Sequence, residues 1–156
     1  MTNATELGTL EREIRIDASP EVVFEVVSRP EHVREWWSDE AEFAPEPGGT
    51  GFIAFGEDPG NREHVAGFTV VEVAAPHRFS FRWTHPEGTP AAQDNSLLVT
   101  FELRPDGNGT LLRLTETGFR EQGWEVALLE EQFHEHEKGW DHFLPRLASY
   151  APGVRA

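Results

Sequence analysis

The C-terminal segment constrains the fold most. From about Glu121 to Tyr150 there is no proline before Pro145, and Val126, Leu129, Phe133, Trp140, Phe143 and Leu147 recur at spacings of three, four and seven residues. That is the pattern of one buried stripe on a single long helix. At 1.5 Å per residue the helix would span roughly 45 Å, enough to cross a whole small domain. The rest of the chain must therefore build a surface long enough to cover one side of it. Pro145 is expected to bend or fray the last turns, and Pro152-Gly153 to end the helix.

The segments before it read as that surface. Leu10 to Asp17 alternates, with Leu10, Arg12, Ile14 and Ile16 on one face and Glu11, Glu13, Arg15 and Asp17 on the other, which predicts a half-buried strand. Ser19-Pro20-Glu21 supplies an N-cap, a proline at the first helical position and an acid in the first turn. A short helix bearing Val23, Phe24, Val26 and Val27 should follow. Ser28-Arg29-Pro30-Glu31 repeats the start signal for a second short helix carrying Val33, Trp36 and Trp37. From Ala41 the period becomes two, predicting strands near 41–45, 50–57, 63–74, 78–85, 96–104 and 110–117. The turns between them are Pro47-Gly48-Gly49, Asp58-Pro59-Gly60-Asn61, Ala75-Pro76-His77, a longer loop over 86–95, and the tight Asp106-Gly107-Asn108-Gly109. The expectation is an α+β domain: a seven-stranded curved antiparallel sheet wrapped around a long C-terminal helix, with two short helices after the first strand. One domain over 10–151 is expected, between flexible ends at 1–9 and 152–156.

Composition narrows the function classes. A length of 156 residues with 38% apolar content suits one core. No run approaches the roughly 18 apolar residues of a membrane helix. Met1-Thr2-Asn3-Ala4-Thr5-Glu6 lacks the basic and apolar regions of a signal peptide, so a cytoplasmic protein without membrane attachment is expected. With no cysteine there are no disulfides, thiolate metal sites or cysteine nucleophiles. A formal charge of −15, with Lys138 the only lysine, repels nucleic acid.

The candidate chemistry is mostly aromatic. Along 78–85 the alternation puts Phe79, Phe81, Trp83 and His85 on one side, opposite Ser80, Arg82 and Thr84, and the ring side should face the helix, as core or as pocket wall. His136 falls three residues after Phe133 and four before Trp140, where the helical stripe calls for an apolar residue. Pointing inward, it needs a polar partner, with Glu116 or His85 within reach of the pattern. His134-Glu135-His136-Glu137 is not a metal site, because residues two apart on a helix point about 200° away from each other. His134, Glu137 and Asp141 lie at helical spacing on the polar face, where a solvated surface is expected. Gly48-Gly49-Thr50-Gly51 precedes a strand and is a turn, not a phosphate cradle. No Gly-x-Ser-x-Gly elbow occurs. Trp36, Trp37 and Trp124 sit near helix ends, and the 86–95 loop is the longest polar connection.

This element order, with Ser19-Pro20-Glu21-Val22-Val23-Phe24, Arg29-Pro30-Glu31-His32-Val33 leading into Trp36-Trp37, Arg78-Phe79-Ser80-Phe81-Arg82-Trp83, Thr117-Gly118-Phe119 and Gly139-Trp140, resembles the START-like (SRPBCC) superfamily. Within it, the chain resembles the branch named after homologues of the activator of the Hsp-90 ATPase. The resemblance spans about residues 10–150. It implies a helix-grip fold with a cavity between sheet and long helix, used across the superfamily for lipids, aromatic polyketides and other apolar small molecules. The eukaryotic activators also carry a separate N-terminal domain, for which this chain has no room.

The expected function is thus binding of an apolar or aromatic small molecule in an internal cavity, without cofactor or metal and by a monomer or homodimer. The expected lining is Trp37, Phe81, Trp83, His85, Glu116, Phe133, His136 and Trp140. Two alternatives stand beside it: a cyclase- or aromatase-type enzyme using His85, Glu116 or His136 as acid or base, and a co-chaperone-like interaction module.

Overall fold

The computed structural model describes residues 8–56 and 63–154. Seven strands form one antiparallel sheet: β1 (Thr9–Ile16), β2 (Glu40–Phe43), β3 (Thr50–Phe55), β4 (His64–Ala74), β5 (Arg78–Trp83), β6 (Leu97–Asp106) and β7 (Gly109–Thr117). Their spatial order is β1-β7-β6-β5-β4-β3-β2. The chain therefore meanders back from β2 to β7 and closes on β1. Two short helices, α1 (Pro20–Ser28) and α2 (Pro30–Trp36), fill the connection from β1 to β2, and α3 (Val126–Tyr150) packs across the sheet. The expected α+β helix-grip architecture is the one observed. The Asp58-Pro59-Gly60-Asn61 turn and most of the N-terminal segment lie outside the described residues.

Local chemistry explains the boundaries. The Ser19 hydroxyl accepts from the Val22 N–H at 3.3 Å, capping α1 one residue ahead of Pro20. The Asp106–Gly109 pair closes β6 and β7 with a two-residue turn, in which Gly107 takes φ 61°. The long helix begins at Val126, the first residue of the apolar stripe and five residues after the expected start near Glu121. Arg120–Gln122 form a 3-10 turn instead, Gly123 is left-handed at φ 75°, and Glu125 is extended. That backbone reversal cannot sit inside a helix. At the other end Pro145 does not end α3, which runs to Tyr150 before a 3-10 turn over Ala151–Gly153.

The face of the sheet turned to the helices carries Phe68 and Val70 of β4, Phe79 and Phe81 of β5, Val99, Phe101 and Leu103 of β6, and Leu112 and Leu114 of β7, all buried. Against them lie Val23, Val26 and Val27 of α1, Trp36 of α2, and Leu129, Phe133, Trp140, Leu144 and Leu147 of α3. The Trp36 indole N–H donates to the Val26 carbonyl at 3.0 Å and ties α2 to α1.

A polar clamp fixes α3 over the β1 edge. Arg12 donates to Asp141 at 2.8 Å and to Glu137 at 3.0 Å, so two residues of the expected solvated face work as ion-pair partners. Partial burial pushes the Glu137 carboxyl up, but hydrogen bonds from His134 and Arg12 outweigh it and leave Glu137 below the ordinary carboxylate range. A lowered folded-state pKa adds stability above the unfolded value of about 4.3, and that stability is lost as pH falls through the folded value. Arg12→Ala should cost at most about 1 kcal/mol at neutral pH, because the pair is partly exposed. It should also make the fall in urea midpoint between about pH 5 and pH 3 shallower than in the parent. Equal slopes would exclude the clamp.

Candidate functional site

The site is organised by one carboxylate. Glu116 lies on β7 opposite Val99 of β6 and Leu10 of β1, on the helix-facing side of the sheet, and is 0% exposed. An unpaired carboxylate there would cost several kcal/mol. Three N–H groups converge on it. The Trp83 indole of β5 donates to Oε2 at 2.7 Å, the Trp140 indole of α3 donates to Oε1 at 2.9 Å, and His136 Nδ1 lies 3.0 Å from Oε1. An ionised carboxylate only accepts, so the set is complementary when the His136 proton is on Nδ1. Nε2 is then the ring's remaining polar atom.

The surrounding sequence holds these donors in place. His136 and Trp140 are one helical turn apart, which stacks them on one face of α3. The His136 ring sits between Trp83, at 5.3 Å, and Phe119, at 5.4 Å and 89°. Phe119 reaches that position because Gly118 turns the chain at φ 104°, where a Cβ would press within 3.2 Å of the Ser96 carbonyl. Trp37, at the C-terminal end of α2, packs 5.0 Å from Trp83 and 5.1 Å from Trp140.

Beside this cluster a cleft of about 490 Å³ opens between α3 and the β3–β5 side of the sheet. It is lined by the rings of Trp37, Phe55, Trp83, Trp140 and Phe143, by Ala66, Gly139 and His136, and by Glu135, Gln132, His64, Val65 and Thr84. A smaller recess of about 360 Å³ lies across His136 and Gln132, lined by Trp124, Leu128, Leu97 and Thr84 among others.

Four of the eight expected residues line the cleft: Trp37, Trp83, His136 and Trp140. Glu116 lies behind them. Phe81 and Phe133 belong to the core: Phe81 stacks on Phe68 at 4.3 Å and Phe133 packs on Phe119 at 5.1 Å. His85 departs from the expected alternation. The strand ends at Trp83, and Thr84 has a positive φ of 76°, which reverses the side to which the next residue points. His85 is 3% exposed and bonds through Nε2 to Thr69 Oγ1 at 3.1 Å, on the sheet face opposite Phe68 and Val70. Its ring occupies the space over Gly67, where a Cβ would collide with it. His85 is therefore neither the partner of His136 nor on the cleft.

Sequence reasoning left out Phe55, Ala66 and Gly139 of the lining. Phe143 was visible in the helical stripe, and Gly139 sits three residues after His136 and four before Phe143, which puts it on the cleft side of α3. The expected enclosed cavity is an open cleft instead, because Phe68, Phe79, Phe81, Phe101 and Trp36 fill the interior.

With this geometry in hand, the chain can be compared with known proteins. Residues 17–151 match the family described as "Activator of Hsp90 ATPase homolog 1-like protein". The chain belongs to this family. None of the curated proteins matches it. Among solved structures, protein MLL2253 from Mesorhizobium loti is 21% identical, with a TM-score of 0.71 over 95% of this chain and 99% of that one. DynU16, from the dynemicin biosynthetic locus, is 21% identical, with a TM-score of 0.68 over 94% of this chain and 48% of that one. The Aha1 dimer from Colwellia psychrerythraea is 17% identical, with a TM-score of 0.64 over 95% of this chain and 98% of that one. At these identities the likeness establishes the family fold. No helix among the described residues is long and apolar enough to cross a membrane.

Glu116→Leu removes the acceptor of three buried or half-buried N–H groups, so folding stability measured by chemical denaturation should fall by about 3–5 kcal/mol. A loss below about 1 kcal/mol would mean that the carboxylate is not the common partner of the three donors.

Proposed function

We propose that the protein holds an apolar or aromatic small molecule in the cleft between α3 and the sheet. One observation carries the reading: Trp37, Phe55, Trp83, Trp140 and Phe143 line one open cleft together with His136, which is anchored to Glu116. A volume of about 490 Å³ suits a drug-sized or smaller ligand. Apolar walls with few convergent polar groups are the usual makeup of such sites. The family's helix-grip architecture, shared with a protein of the dynemicin biosynthetic locus, supports the same reading. Trp37, Trp83, Trp140, Phe55 and Phe143 supply contact area, and His136 supplies the polar anchor.

A second reading, acid–base chemistry on such a ligand, is favoured by the His136–Glu116 pair, since a carboxylate that fixes an imidazole's tautomer leaves its far nitrogen as the proton acceptor. Only His136 of that pair reaches the cleft, because both Glu116 oxygens are taken up and Glu116 is fully buried. The co-chaperone-like reading has less support. Among the described residues the large exposed hydrophobics are three valines, Val65, Val71 and Val126. The monomer or homodimer expectation stands beside a neighbour described as a dimer.

Gly139→Leu tests the site without risk to the fold. A Cβ at Gly139 meets nothing within 4 Å, and leucine is a better helix former than glycine by about 0.8 kcal/mol. The variant should fold with equal or higher stability and bind a neutral fluorescent probe, N-phenyl-1-naphthylamine, at least tenfold more weakly than the parent. Undiminished binding by a folded Gly139→Leu protein would place the probe elsewhere and remove the cleft from consideration.

A further inference from the structure

The cleft lining holds a carboxylate and neither lysine nor arginine, and the geometry points to a cationic occupant: a tertiary or quaternary ammonium carried on an apolar or aromatic body. This inference rests on the cleft being a ligand site and adds the sign of the ligand's charge. Five aromatic side chains face the space, whereas neither lysine nor arginine lines it. Trp83 and Trp140 direct their N–H groups to Glu116. Trp140 is 2% exposed, so the ring surface offered to the cleft is mainly that of the partly buried Trp83, Phe55 and Phe143, and the π electrons of such rings attract cations. Donation to a carboxylate polarises the indole rings further in the same direction.

The fixed charges agree with the rings. Glu116 lies one indole behind the wall, fully buried, so little water screens it from the cleft. Glu135 stands in the lining itself. Lys138 lies 3.8 Å from Glu135 and is outside the lining. The groups in the lining able to carry positive charge are the imidazoles of His64 and His136, Nδ1 of His136 is already committed to Glu116, and just outside the lining the Arg146 guanidinium lies 5.6 Å from the centroid of the Phe143 ring. The chain as a whole carries −15, which raises the local concentration of cations around it. An anionic ligand would find no lysine or arginine in the lining.

The same geometry selects the kind of cation. A primary ammonium has three N–H groups that need acceptors once water is removed. The buried carboxylate of Glu116 already holds three hydrogen bonds, which leaves the side-chain oxygens of Glu135, Gln132 and Thr84 as the acceptors in the lining. A quaternary ammonium needs no acceptor and spreads its charge over methyl groups that pack on aromatic faces.

Three ligands of similar size separate the terms: benzyltrimethylammonium, its neutral carbon isostere neopentylbenzene, and phenylacetate, each titrated against N-phenyl-1-naphthylamine bound to the full chain. The cation is expected to displace the probe roughly five- to thirtyfold more tightly than the isostere, with phenylacetate weakest and Gly139→Leu weakening cation and isostere alike. An isostere that binds as tightly as the cation, or a tighter anion, overturns the charge assignment and leaves the apolar cleft standing. Failure of all three to compete, or binding untouched by Gly139→Leu, overturns the cleft reading and this inference with it.

Discussion

A carboxylate buried in an apolar interior must either find donors or unfold its surroundings, and Glu116 imposes that condition on this domain. Its three donors come from β5 and from two successive turns of α3. The hydrogen bonds therefore do what apolar contact cannot do as specifically: they set the rotation of the long helix about its axis and its height over the sheet. A helix turned by one residue would direct Glu135 or Glu137 toward Glu116 in place of His136, and like charges would replace an acceptor with its donor. The Arg12 clamp fixes the same helix from the β1 edge through exposed and weaker pairs.

The cleft follows from this arrangement. Trp83 and Trp140 are turned inward by their N–H groups and Trp37 packs onto both, so the aromatic cluster is drawn toward the carboxylate. On the outer side of that cluster the facing residues are small, Gly139 on α3 and Ala66 on β4, and the gap between helix and sheet is left unfilled. Structure and candidate function thus share one cause, since the interaction that orients the helix also sets Trp83 and His136 on the cleft.

Most of the fold was legible because it rests on periodicities. The seven strands, two short helices and the closing helix follow from alternation, N-cap signals and one apolar stripe. The site was legible to the extent that it lies on those elements. His136 was conspicuous as a polar residue in an apolar stripe, and Glu116 was one of its two candidate partners. His85 misled because alternation holds only while a strand lasts: Thr84 adopts a left-handed backbone that a β-branched residue rarely takes, and nothing local announces it. The start of α3 was misplaced for a similar reason, a left-handed Gly123 inside an apparently helical pattern. Phe81 and Phe133 could not be told from pocket walls, since core and pocket aromatics share one spacing. Ala66 carried no signal and Gly139 only its helical spacing, because space is made by side chains that are absent.

The central claim is that Glu116 accepts the indole N–H groups of Trp83 and Trp140. Hydrogen exchange of the five tryptophan indole N–H groups, followed by nitrogen-15 NMR in the parent and in Glu116→Gln, tests it directly. Trp83 and Trp140 should exchange slowly in the parent and shift and exchange faster in the variant. The Trp36 signal, bonded to the Val26 carbonyl, should stay where it is. Trp83 and Trp140 signals that are unmoved by the substitution would contradict the account.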